Sequence, residues 1–251
     1  MDLELDGRRA LVSGGSRGIG KAVARRLVAE GAAVAVAARN RSDLEQAAAD
    51  IAAAVAAPVA YAVGDTATDE GAATIVRDAE AALGGGIDLL VNCAARPGAL
   101  LSRGLDGLTA GELADEVNTK VMGYARLAQL VVPHMLTTGW GRIVNVSGLA
   151  ALRTGSVIGS IRNSAVIALT KNLADECGPA GINATAVLPG ATVTERDRGA
   201  DAVAAPGNLL GRMVTAAEVA NVVAFLASPL GVAINGEAVI CGGGVPEAIR
   251  Y

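Results

Sequence analysis

The chain has 251 residues, 21 basic against 25 acidic side chains, 52% hydrophobic residues and 2% aromatics. That length can bury the core of one large α/β domain, and the slight acidity and few aromatics exclude a binder of nucleic-acid backbones or stacked bases. The longest apolar run, Ile51 to Val63, is rich in Ala, broken by Pro58 and well short of the ~18 residues of a membrane span. Met1-Asp2-Leu3-Glu4 has the wrong chemistry for an export signal. Cys93, Cys177 and Cys241 lack paired spacing, and the single His, His134, offers no metal cluster. A reducing cytoplasm is the expected setting, with no nucleic acid, membrane or metal as partner.

In chain order, strands are predicted at Arg9–Ser13, Ala33–Ala38, Val59–Val63, Ile87–Val91, Arg142–Val146, Asn183–Val187 and Ala238–Cys241. Helices are predicted between them at Gly18–Glu30, Ser42–Val55, Glu70–Leu83, Ala110–Met135, Ser160–Cys177 and Ala216–Ala227. Alternation of this kind predicts an α/β fold with a doubly wound parallel sheet of about seven strands, apolar on both sides and covered by helices on both faces. No linker, repeat or charge block divides residues 1–251, which read as one domain. The least regular stretch, 189–215, reads as a substrate loop or lid, or as a plain surface loop.

Leu11-Val12-Ser13-Gly14-Gly15-Ser16-Arg17-Gly18-Ile19-Gly20-Lys21 follows the first strand and opens the first helix. Glycines there permit a tight turn and close approach of backbone to a diphosphate, and the helix N-terminus offers N–H groups to that anion. The second strand ends about 20 residues on, where a ribose-reading residue belongs. A carboxylate at that place would read the 2′-OH of NAD. This chain has Arg39-Asn40-Arg41, with Arg17 in the glycine turn, which suits a 2′-phosphate and favours NADP(H) while leaving NAD(H) open. Pairing of the arginines with Asp43 or Glu45 is the plainer alternative.

These residues resemble the short-chain dehydrogenase/reductase family over nearly the whole chain. Ser13 to Gly20 is similar to the family's T-G-x-x-x-G-I-G, and Asn92-Cys93-Ala94-Ala95 to its N-N-A-G. Asp65-Thr66 match the place of the adenine contact, and Asn118 the structural and catalytic Asn of the central helix. Pro189-Gly190-Ala191-Thr192-Val193-Thr194 resembles the P-G motif that touches the nicotinamide carboxamide, and Asn235 to Gly243 resembles the last strand. The resemblance implies a Rossmann-like sheet and cofactor contacts from Gly14, Ser16, Arg17, Gly18, Ile19, Gly20, Arg39 and Asn40. It adds Asp65, Thr66, Asn92, Ala94, Pro189, Gly190, Thr192 and Thr194. It also implies a homodimer or homotetramer through the segments Ala110–Met135 and Ser160–Cys177, where Gly123, Ala125, Ala128, Ala165 and Ala168 allow close approach or burial against the sheet.

The family's reaction is hydride transfer between a nicotinamide and a carbonyl or alcohol carbon, with a proton supplied by Tyr in a Y-x-x-x-K pair and a Ser fixing the substrate oxygen. Here Ser147 is the Ser candidate, and Gly148 takes the place of the second serine that many members use. Aligned on Ala168-Leu169-Thr170-Lys171, Gly159 falls at the Tyr and Asn163 at the Lys; aligned on the spacing from Ser147, Ser160 and Ser164 fall there. The only tyrosines are Tyr61, Tyr124 and Tyr251, and the only lysines Lys21, Lys120 and Lys171, so the usual acid pair is absent in either register.

Substitutes within reach are Arg162, which holds a charge but does not readily give up a proton, Asn163, which bonds hydroxyls, and Ser160, which relays through water. Ser147 and Asn118 complete the catalytic candidates. Tyr124 reads as helix packing, Lys171 as exposed and His134 as structural. Three functions stand open: an NADP(H)-dependent oxidoreductase of carbonyls or secondary alcohols, resembling 3-oxoacyl reductases; an NADP(H)-binding homologue with little or no turnover, acting as sensor or assembly partner; and a scaffold that binds no nucleotide.

Overall fold

A computed structural model describes residues 1–96, 107–195 and 208–246. Seven strands form one parallel sheet: β1 (Arg9–Ser13), β2 (Ala33–Ala38), β3 (Val59–Val63), β4 (Leu89–Asn92), β5 (Gly141–Val146), β6 (Ile182–Pro189) and β9 (Ala238–Cys241). Their order is β3-β2-β1-β4-β5-β6-β9, which bears out the doubly wound reading. Along β1, Ala10 and Val12 face one layer of helices and Leu11 the other; Val34 and Val36 oppose Ala35 and Ala37 on β2 in the same way. This period of two, apolar on both sides, is what a sheet covered on both faces requires.

One face packs against α1 (Gly18–Ala29), α2 (Arg41–Val55) and α7 (Ala216–Leu226) through Val23, Leu27, Leu44, Ile51, Val219 and Val223. The other face packs against α3 (Asp69–Leu83), α5 (Gly123–Thr138) and the C-terminal end of α6 (Val157–Cys177) through Ile75, Leu127, Val131, Met135 and Ala174. Each fully buried Leu or Ile contributes about 2 kcal/mol of transfer free energy. Among the described residues no helix is long and apolar enough to cross a membrane.

The long helix predicted over Ala110–Met135 is divided. It runs as α4 (Ala110–Glu116), a π-helical turn over Val117–Met122, and α5, which carries Pro133 within it. A π turn leaves no mark on apolar spacing, so composition alone reads straight through it. The fourth strand begins at Leu89 rather than Ile87. Two short strands that the sequence did not announce, β7 (Thr192–Val193) and β8 (Val214–Thr215), pair in parallel and close the base of the 189–215 segment. A two-residue ladder is too short to show alternation. The middle of that segment, residues 196–207, lies outside the described residues.

At the N-terminal end of the sheet, buried Asp88 accepts from the Arg9 backbone N–H at 3.0 Å, from Arg9 Nε at 3.1 Å, and lies 3.2 Å from His134 Nε2. Burial by itself raises the Asp88 carboxyl, but the Arg9 bonds and charge and the His134 contact outweigh it and hold the group below its ordinary value. His134 is thus structural, as expected. A carboxylate whose folded value is depressed adds stability above its unfolded value, about 4, and loses it as pH falls through the folded one. Asp88→Asn is therefore expected to lower unfolding free energy by about 2 kcal/mol at pH 7. Urea titrations should show that deficit shrinking below about pH 4; a deficit constant with pH would remove the charge from the account.

Candidate functional site

The strand order reverses between β1 and β4, so the connections leaving their C-terminal ends diverge to opposite faces and a crevice opens between them. A cleft of about 1620 Å³ occupies this place. Its floor at β1 is the glycine turn. Gly14 has φ +69°, and a Cβ there would lie 2.8 Å from the Ala94 backbone; a Cβ on Gly20 would run into the Gly14 carbonyl. These two glycines let α1 start directly against the strand ends. The turn is pinned by Gly14 and Gly15 N–H groups donating to Ala37 O at 2.7 and 3.2 Å.

Helix α1 has no side-chain cap at Arg17. By contrast Asn40, Thr68, Thr109, Ser156 and Thr215 cap α2, α3, α4, α6 and α7. The Gly18 N–H instead donates to Glu195 Oε1 at 2.7 Å, a carboxylate brought from the loop after β7. An anion therefore already sits at this helix start, where partial positive charge accumulates. Ser16, Arg17, Ile19 and Gly20 line the adjoining cleft, whereas Gly18 does not and lines a separate neighbouring cavity with Thr194 and Glu195.

At the end of β2, Arg39, Asn40 and Arg41 line the same cleft. Arg39 Nη1 is 3.9 Å from Asp65 Oδ2, and Arg41 Nη1 is 3.8 Å from Glu45 Oε1 with its guanidinium 5.9 Å from the Tyr61 ring centre. Such long, exposed pairs hold little energy, so both cations can turn to a phosphate. The Asn40 side chain is engaged by Asp43 N–H and the Ser42 hydroxyl at the start of α2. Asp65 and Thr66, Ala94, and Pro189, Gly190, Thr192 and Thr194 also line the cleft. Asn92 does not. It is fully buried, accepting from Ser13 Oγ at 3.3 Å and donating to Asn145 Oδ1 at 2.9 Å, and its role is to tie β1, β4 and β5 together.

At the other end of the cleft the catalytic candidates divide. Ser147, Arg162 and Asn163 line it; Asn118 and Ser160 do not. Asn118 donates to Ala67 O at 3.1 Å and accepts from Arg126 at 2.9 Å, which fastens the central helix to the loop after β3. The Ser160 hydroxyl donates to Ser156 O at the cap of its own helix and to Arg153 O in the segment before it. Arg162 is buried and paired with buried Glu116, which neutralises the free cation expected from sequence, while its Nε has no partner. Ser147 Oγ donates to Asn163 O at 2.8 Å. At Gly148 a Cβ would meet Asn163 only at ordinary contact distance, 3.5 Å, so space for a second serine side chain is present.

Lys120 was not among the candidates, yet it belongs to the site. It lies in the π-helical turn, is 4% exposed, and lines the cleft. Its Nζ donates to Ser147 O at 3.0 Å and to Asn163 Oδ1 at 2.8 Å. Asn163 is oriented in turn by donating to Gly159 O at 2.8 Å. Burial, reinforced by the Arg162 charge, pushes the ammonium down to about 7, and Glu116 works against that shift. Cys93 beside it is raised by burial to about 12 and is a neutral thiol at neutral pH. Tyr124 is buried, donates to Val146 O at 3.1 Å, and is raised well above its ordinary value, so it serves packing as expected. The signal for Lys120 was present in the spacing: Glu116, Lys120, Tyr124, Leu127, Val131 and Met135 recur at helical intervals and form the inward stripe.

Because Glu195 competes for the α1 N-terminus and would repel a diphosphate, Glu195→Gln is expected to tighten NADPH binding by about threefold, near 0.7 kcal/mol. Fluorescence titration measures it. Weaker binding in the variant would mean that this carboxylate holds the turn in shape instead of opposing the ligand.

Comparison with known proteins agrees with this geometry. A family model described as enoyl-(acyl carrier protein) reductase matches residues 14–246. The short-chain reductase protein NovJ of Streptomyces niveus is 35% identical, the match covering 94% of this chain and 93% of that protein. The 3-oxoacyl-[acyl-carrier-protein] reductase FabG of Pseudomonas aeruginosa is 33% identical over 97% of this chain and 99% of its own length. The crystal structure of L-sorbose reductase from Gluconobacter frateurii, complexed with NADPH and L-sorbose, superposes with a TM-score of 0.90 at 26% identity, covering 99% of this chain and 100% of that one. The chain belongs to the short-chain dehydrogenase/reductase family, whose members are oxidoreductases.

Proposed function

We propose that this protein is an NADP(H)-dependent reductase of carbonyl compounds, working in reverse on secondary alcohols. The observation that carries the reading is the cleft at the strand-order reversal, with Arg39 and Arg41 at the end of β2 and Arg17 in the glycine turn. The fit to a dinucleotide rests on the chemistry of the donor set. An uncapped helix start already holds a carboxylate, and exposed guanidinium groups lie where a 2′-phosphate would bind. When bound, the reduced nicotinamide supplies the hydride to the carbonyl carbon. Gly14 to Gly20 would hold the diphosphate, Asp65 and Thr66 the adenine, and Pro189 to Thr194 the carboxamide. The names of the relatives support the same direction: two are reductases, one of 3-oxoacyl groups, and the sorbose reductase was crystallised with NADPH.

In this reading residues 1–251 form a single nucleotide-binding domain, and 189–215 cover the substrate. The chain works as a homodimer or homotetramer through α4, α5 and α6. Of the small residues that sequence put forward for that contact, Gly123 and Ala128 are buried within this chain, Gly123 against Thr66. Exposed Leu130, Leu136 and Ile161 on α5 and α6 are the apolar groups that remain for a partner.

Titration with NADPH and NADH, followed by nucleotide oxidation against ketones, diketones and 3-oxoacyl thioesters, tests the proposal. Tighter binding of NADPH and oxidation with at least one carbonyl class are expected. Arg39→Ala should weaken NADPH by about tenfold, close to 1.4 kcal/mol, and leave NADH nearly unchanged. Equal affinity for both nucleotides would reassign the cofactor, and binding without oxidation on the whole panel would leave a nucleotide sensor in place of the enzyme.

A further inference from the structure

The site lacks the family's Tyr, so the substrate oxygen needs another proton source. Several groups near the catalytic end are disqualified by chemistry on the page. Arg162 does not give up a proton readily and is paired with Glu116. Ser147 directs its hydroxyl to Asn163 O, and Asn163 carries only an amide. Tyr124 is committed to Val146 O behind the strand end. The Cys93 thiol is partly buried, and desolvation pushes it up to about 12, so it is a poor proton donor at neutral pH.

We propose, building on the reductase reading above, that Lys120 is the catalytic acid of this site, with its Nζ–H directed at the substrate oxygen and Asn163 and the Ser147 carbonyl fixing the amine. Three features of its placement support this. The lysine lines the cleft in the same stretch as Ser147 and Asn163. Two of its three N–H groups are held by Ser147 O at 3.0 Å and Asn163 Oδ1 at 2.8 Å, and among the described residues the third has no acceptor. It is carried by a π-helical turn, a feature that concentrates at functional sites. Asn163 stands at the position where the family's Lys belongs when α6 is aligned on Ala168 to Lys171, so an amine from the central helix reaches that place from the opposite side.

The step balances as follows. The carbonyl carbon gains the hydride and a new C–H bond, and the C=O π pair moves to oxygen. As the O–H bond forms, an Nζ–H bond of Lys120 breaks, leaving a neutral amine that regains a proton from water through the cleft. The charged and titratable groups acting on Nζ are Arg162 on α6, Cys93 after β4 and Glu116 on α4. Burial and then the Arg162 charge lower the ammonium, and together they outweigh the contributions of Cys93 and Glu116 that raise it. A value of about 7 is where a general acid combines protonation with transfer at neutral pH.

The test uses the full chain and its Lys120→Met and Lys120→Arg variants, with NADPH and whichever carbonyl the wild type reduces. Both variants are expected to lose about 10²–10⁴-fold in kcat. Their NADPH affinity should stay within about threefold, a range below 1 kcal/mol. For the wild type, kcat/KM of reduction should fall as pH rises through about 7, because the acid must be protonated, and both variants should lack that limb. A merely structural lysine would not place a limb there, and Lys120→Arg keeps charge and packing if Lys120→Met fails to fold.

A readout independent of turnover is available because the chain has only Lys21, Lys120 and Lys171. With lysine labelled at 13Cε, the resonance missing from Lys120→Met should titrate near 7. A Lys120 resonance that does not titrate near 7 overturns the proposal, as do variants that reduce carbonyls at the wild-type rate with the limb intact. Those outcomes leave the reductase reading standing. A wild type that binds NADPH but reduces no carbonyl, or binds none, removes that reading and the acid together.

Discussion

The reversal of strand order between β1 and β4 is the constraint from which the rest of the molecule's chemistry follows. A parallel sheet demands right-handed crossovers, so chain leaving the C-terminal end of β1 turns to one face and chain leaving β4 turns to the other. The two connections cannot close over the gap they leave. Backbone N–H groups of the α1 start, the Arg39 to Arg41 corner, the 189–194 strand exit and the π-helical turn all open on this one gap. At the opposite, N-terminal end of the strands Asp88 is engaged by Arg9 and contacted by His134.

Within that gap, charge is distributed unevenly for a physical reason. At the nucleotide end the cations are exposed and weakly paired, so a phosphate can recruit Arg39 and Arg41 without breaking a strong contact. At the catalytic end the ions are buried, and burial of an unpaired ion is costly. Arg162 is matched there by Glu116, whereas Lys120 has only neutral acceptors, a carbonyl and an amide. That difference makes Lys120 the one of the two cations whose protonation is near balance. Behind it, hydrogen bonds run from Ser13 through Asn92 and Asn145 to Thr170, whose hydroxyl ends on Val166 O. They lock α6 to the strand ends, and a proton-transferring amine needs such a rigid frame to meet its acceptor.

The sheet and its helices were legible in the sequence because each has a local signature, as were the residues that line the cleft beside the glycine turn. Alternating apolar runs, Ala-rich helical spacing, the glycine turn and the arginines after β2 all write themselves within a few residues. Asn92, Asn118 and Ser160 do not line the cleft for a common reason: position in a motif says which strand or helix a residue is on, while its side chain turns to whichever polar group lacks a partner. Asn118 found Ala67 O, and Ser160 found the carbonyls of Ser156 and Arg153 just ahead of its helix. Glu195 could not have been foreseen, since its contact with Gly18 spans 177 positions of chain. Lys120 was readable from the inward stripe that contains it, but a search confined to the helix carrying the family's Tyr and Lys passes it by.

That last point bears on what an acid–base site requires. The family pattern puts acid and cation on one helix, four residues apart, where they share a face. Chemistry demands only that an acidic proton and a compensating charge meet at one oxygen. Here α6 contributes an acceptor, Asn163, and the central helix contributes the amine, so two elements packed against each other divide a task that one helix performs elsewhere. A single ammonium near neutrality combines both duties, since the same proton that it donates is the charge that attracts the developing oxyanion. The cost is that charge and acid are lost together as pH rises, whereas a Tyr–Lys pair keeps its cation after the phenol has ionised. Activity in a site built this way is therefore tied to the first titration of one side chain.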